Sequence, residues 1–91
     1  MIPPRPLSSY DYLITKVSFD YDIPKATITG SDRQRRVVAA RHLAMALIRK
    51  ECHMSLAEVG TIFGVDHSSV RAACQKFSEA ELDDFLRPFG K

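Results

Sequence analysis

The chain has 91 residues, 45% of them hydrophobic and 26% charged, with a formal net charge of +2. That is enough for one domain with a modest core and too little for two, and no apolar run approaches the roughly 18 residues of a membrane span. Cys52 and Cys74 are too few for a disulfide framework, and neither stands with His42, His53 or His67 at zinc-ligand spacing, so free thiols, no metal and no cofactor are expected.

The opening MIPPRPLSSY holds three prolines and no apolar h-region, so no signal peptide is expected and the cytoplasm is the expected location. Residues 1–7 read as a flexible proline-bearing arm before a single domain over 8–91. Ser8 or Ser9 is placed to cap a helix with Tyr10, Leu13, Ile14, Val17 and Tyr21 on one stripe. In DIPKATITG, Pro24 suits the first turn of a very short helix that Gly30 stops.

The arginine-dense connector SDRQRR leads into VVAARHLAMALIRKEC. Here Val37, Ala40, Leu43, Ala44, Leu47 and Ile48 share one face of a long alanine- and leucine-rich helix. Arg41 and His42 fall near its polar boundary, and Arg49 and Lys50 suit its negative C-terminal end. Ser55 and Glu58 in SLAE have capping-box spacing and open a short helix with Leu56, Val59 and Phe63. Gly64 ends that helix, and Asp66 or a neighbour caps the next, over 67–77, with Val70, Ala73 and Phe77 inside. Ser78 and Glu81 repeat the capping box before a last helix with Leu82, Phe85 and Leu86, which stops before Pro88. Those last apolar residues, with Phe89, suit either a lid on the core or an exposed strip. Met45 and Met54 read as core filler. With no strand-length alternation and no repeat, the fold expected is all-α, with five to six helices.

Charge is unevenly spread. Residues 33–50 contain Arg33, Arg35, Arg36, Arg41, Arg49 and Lys50 with no acid, while 79–84 contain Glu79, Glu81, Asp83 and Asp84 with no base. One face built for an anion follows from that split.

The stretch FGVDHSSVRAACQK narrows the reading. Gly60 and Gly64 are four apart, Val65 follows at once, and Val70 lies six beyond Gly64. In a helix-turn-helix a small residue lets two helices cross closely, a glycine makes the turn, and hydrophobes lock the second helix steeply against the first. Val59, Phe63, Val65, Val70 and Ala73 occupy those locking positions. Asp66, His67, Ser68, Arg71 and Gln75 then point outward, a polar set suited to base edges and phosphates. A catalytic relay among Asp66, His67 and Ser68 is excluded, because consecutive helical residues diverge by about 100°. No enzyme activity is expected.

RHLAMAL, SLAEVGTIFG and DHSSVRAAC, in order and spacing over residues 10–77, resemble the C-terminal DNA-binding domain of the bacterial replication initiator DnaA. The resemblance implies a helix-turn-helix of the Trp-repressor-like type, buttressed by a long helix and an N-terminal helix. It implies that Arg33, with Arg35 and Arg36 beside it, enters a minor groove, and that Asp66, His67, Ser68 and Ser69 read the major groove. Arg41 matches an arginine that contacts the DNA backbone, and Leu56 and Ala57 match main-chain phosphate contacts.

Departures from the pattern are Val65 where the family has arginine, serines at 68 and 69 in place of threonines, and Ala40 and His42 in place of proline and glutamine. Each relaxes base reading without harming the fold. The family's ATPase domain has no counterpart in the 91 residues, so ATP-driven assembly is expected elsewhere. The expected function is binding of double-stranded DNA, DnaA-box-like in sequence, on the nucleoid, modulating chromosomal replication initiation. Two alternatives stay open: a protein-interaction module for the replication initiator or an ATPase that regulates it, and a transcriptional regulator using the same helix pair.

Overall fold

Alanine and leucine at close helical spacing make α3 (Arg35–Cys52) both stable alone and thin enough to be surrounded. In the computed structural model, which describes residues 8–86, it is the axis of an all-helical fold. The other helices described are α1 (Ser8–Tyr21), α2 (Lys25–Ile28), α4 (Leu56–Phe63), α5 (His67–Gln75) and α6 (Glu79–Leu86). The arm expected over 1–7, and Phe89, lie outside the described residues. No described helix is long and apolar enough to cross a membrane.

The stripe anticipated on α3 is its buried face: Val37, Ala40, Leu43, Ala44, Leu47 and Ile48 are all in the core. Met45 and Ala46 join them, so the helix is enclosed on more sides than the stripe alone requires. α1 packs onto α3 with Leu13, Ile14 and Val17 buried, and α5 packs onto it with Val70 and Ala73 buried. Each of the larger buried aliphatics contributes about 1.5–3 kcal/mol by leaving water. Leu47→Ala, at the fully enclosed centre, is expected to cost about 2–5 kcal/mol.

Helix ends follow local chemistry. Both capping boxes form: Glu58 N–H donates to Ser55 Oγ at 3.1 Å and Ser55 N–H to Glu58 Oε1 at 2.9 Å. Ser78 and Glu81 repeat the exchange at 2.8 and 3.1 Å. Three ends differ from expectation. Ser8 and Ser9, one or other of which is expected to cap α1, both lie inside its described span. Pro24 stands at the N-cap of α2, one place before its first turn. α5 stops at Gln75, with Lys76 as its C-cap.

Arg41 corrects the reading of α3. Expected at the polar boundary, it is only 7% exposed. Its Nε donates to Ile28 O at 2.7 Å and its Nη2 to Thr27 O at 3.2 Å. A four-residue helix such as α2 leaves its final carbonyls without intrahelical donors; the guanidinium serves Ile28 O and joins the Gly30 N–H on Thr27 O.

Candidate nucleic-acid interface

The angle between α4 and α5 is set by two glycines. A Cβ on Gly60 would lie 2.5 Å from the Val65 carbonyl oxygen, so only glycine lets the turn come this close to α4. Gly64 has φ +69°, a left-handed conformation that glycine adopts without Cβ strain. The Val65 N–H then returns to Gly60 O at 2.9 Å and closes the turn. Val59, Phe63 and Val70 lock beneath it, and Val65 is half-buried.

That angle leaves one face of α5 in solvent. Asp66 is its N-cap, accepting from the Ser69 N–H at 3.1 Å. The same bond holds the Asp66 carboxyl below the usual carboxylate range. His67, Ser68, Ser69, Arg71 and Gln75 are all exposed. At the head of α4 the capping box occupies the amides of Ser55 and Glu58. The amides of Leu56 (half-buried) and Ala57 (exposed) sit where a helix has no internal acceptor to offer them.

The arginine loop lies on this same side. Asp32 accepts from the Gln34 N–H at 2.8 Å, a local turn that shapes the approach to α3. Thr29, Ser31 and Arg33 face Gly64 and Val65 across an open groove of about 520 Å³, with Arg41 and Phe63 also lining it. A second, larger groove of about 780 Å³ runs between Arg33 and Arg35 on one wall and Lys76 and Phe77 on the other, with His42 between. Arg33 therefore belongs to both grooves, one beside the turn before α5 and one beside the two residues that follow it.

The expected basic residues are not all brought together. Arg33 and Arg35 line the grooves, whereas Arg36 turns away and its Nη2 donates to Tyr21 O at the end of α1. Arg41 is committed to α2, although its edge reaches the first groove. Arg49 and Lys50 stand at the opposite end of α3: Arg49 Nη1 donates to Met54 O at 2.7 Å and Lys50 lies 3.3 Å from Asp83. Lys76 is a member the sequence reading passed over. It sits one place past the end of α5, and only its position across from His42 marks it.

Cys52 and Cys74 are half-buried and not disulfide-bonded, and burial pushes the Cys74 thiol up from its ordinary value.

Two helices that meet closely at a glycine turn, a capped and outward second helix, and an arginine loop on the same side define a helix-turn-helix domain. Residues 10–77 match the family described as bacterial dnaA protein helix-turn-helix, and the chain belongs to that family. Over 73 residues it is 40% identical to the chromosomal replication initiator protein DnaA of Thermus thermophilus, covering 79% of this chain and 17% of that protein. The DnaA of Deinococcus deserti is 40% identical over 67 residues (74% of this chain, 15% of the relative), and that of Chloroflexus aggregans 35% over 81 residues (87% and 17%). The chain thus spans less than a fifth of the length of these relatives.

Proposed function

We propose that this domain binds double-stranded DNA of DnaA-box-like sequence and, through that binding, modulates chromosomal replication initiation. α5 enters the major groove with His67, Ser68 and Ser69 at its leading edge, and Asp66 holds that edge in shape as its cap. Arg33 reaches the neighbouring minor groove, Arg35 and Arg71 meet phosphates, and the first amides of α4 at Leu56 and Ala57 meet another. The single observation that carries this reading is the position of Arg33 on the shared wall of two open grooves, one lined by Gly64 and Val65 of the turn before α5 and the other by Lys76 and Phe77 just after it.

Fluorescence anisotropy with a DnaA-type box and a scrambled duplex, each at two salt concentrations, tests it. With Arg33, Arg35 and Arg71 as the cations that displace counterions, log affinity is expected to fall with log salt at a slope of about −2 to −3. Tighter binding to the box than to the scrambled duplex is expected. Equal, salt-independent affinity for both would remove the mechanism.

One observation favours a second reading, contact with the replication initiator or an ATPase that regulates it. Tyr12 and Phe19, two turns apart on α1, are 61% and 82% exposed, and helix packing does not account for them. A nuclease-treated pull-down that recovers such an ATPase, and loses it with Phe19→Ala, supports this reading.

A further inference from the structure

The larger groove contains an arrangement that the recognition helix and the arginine loop do not by themselves require. Lys76 Nζ lies 2.9 Å from His42 Nδ1. An ammonium has three donors and no lone pair, so Nδ1 must accept and the imidazole proton must sit on Nε2. The histidine is therefore neutral here. Burial, then Lys76, then Arg41 all depress its pKa, which keeps it so at neutral pH. One of the three ammonium protons is spent on this bond, and two remain.

Around this pair the groove is lined by Arg33 and Arg35, with Val38 and Phe77 as apolar surface and no acid among its lining residues. Like charges gathered beside apolar walls repel one another more strongly than in open water, and an anion relieves that repulsion. Arg33 lines both this groove and the one beside the turn, so the two adjoin at its side chain as one strip. From His67 to Lys76 the helix advances about 13 Å. A DNA strand carries one phosphate per roughly 3.4 Å of helix axis, so a strand followed along this strip presents different phosphates at its two ends.

We propose that Lys76 and Arg35 clamp backbone phosphates of the bound DNA at the C-terminal end of α5, and that His42 is the positioning residue that holds the Lys76 ammonium over the groove. This inference rests on the DNA-binding reading. The clamp carries no base preference. It lengthens the footprint beyond the helix-turn-helix and gives affinity to a domain whose base-reading serines are short.

The test is anisotropy with a labelled duplex bearing a DnaA-type box and with its scrambled counterpart, across a salt series. Lys76→Ala is expected to weaken both duplexes by the same factor, roughly three- to tenfold, and to lower the salt slope by about 0.9. Lys76 is exposed, so the variant should melt like the wild type. His42→Ala should weaken binding in the wild-type background and change nothing in the Lys76→Ala background. His42→Gln should restore binding, because its carboxamide oxygen also accepts. An unchanged slope in Lys76→Ala, or independent multiplying effects of His42→Ala and Lys76→Ala, overturns the clamp while wild-type binding stands. If the wild type itself binds neither duplex at low salt, the DNA-binding reading fails, and the clamp with it.

Discussion

At the N-terminal end of α3, Arg33 and Arg35 meet His42 and Lys76 around a groove with no acid in its lining. At the C-terminal end, eighteen residues' length away, Arg49 is bound to the Met54 carbonyl and Lys50 is paired with Asp83 of α6. The two ends belong to one acid-free stretch of sequence, yet their cations have different work. Those at the C-terminal end are used up inside the domain. The acids of 79–84, which in sequence look like a counterpart to an anion-binding face, in fact supply the partner for Lys50 and hold its ammonium above its ordinary pKa. The lesson is that a cation is available to a ligand only where the fold brings no carboxylate or carbonyl to it first.

Predictions follow from this contrast, beginning with the strongest. Gly60→Ala forces a Cβ against the Val65 carbonyl and disturbs the turn that shares a groove with Arg33 and leads into α5. A destabilisation of about 1–3 kcal/mol is expected from such overpacking, read as a lower urea midpoint, with loss of DNA binding. A midpoint equal to wild type would contradict the close approach.

Arg33→Ala and His67→Ala are each expected to cost about 1–3 kcal/mol of duplex affinity at fixed salt. Unchanged anisotropy titrations in both variants would dissolve the distinction between the two ends. A smaller effect concerns Asp66. Its carboxyl titrates below the ordinary carboxylate range because it accepts from Ser69. A depressed folded pKa means stability that is present above the unfolded value, about 3.9, and lost as pH falls through the folded one. Thermal melts in acid should show this loss, and Asp66→Asn should lack that part of the pH dependence. Identical acid profiles in the two proteins would rule out the capping carboxylate as its source.

The smallest effect sharpens the comparison most directly. Lys50→Ala should leave both DNA affinity and salt slope at wild-type values, since its charge is already answered by Asp83. A slope reduced by about one would show that this end of α3 also meets phosphate.

Much of the site was legible because its geometry is local. Ser55 with Glu58, Ser78 with Glu81, and Asp66 with Ser69 are spaced three apart, and each pairing forms as the spacing demands. Gly60 and Gly64 announced a tight crossing, and the exposure of His67, Ser68 and Arg71 follows from burying Val70 and Ala73. What could not be read were the partners of long side chains. Arg36 and Arg41 look alike in sequence to Arg33, but one turns to the end of α1 and the other to the end of α2. Lys76 meets His42 across 34 positions of chain. His53 ends α3 in a left-handed conformation that no local spacing marks.

The sequence by itself determined the helices, the N-caps of α4, α5 and α6, the glycine turn and the family, because each depends on neighbours within a few residues and on the period of apolar side chains. Which cations remain for a ligand was decided only by the tertiary structure. A guanidinium or ammonium reaches several ångströms from its backbone, and its partner is whichever carbonyl, carboxylate or imidazole the packing of α1, α2, α5 and α6 around α3 places within that reach.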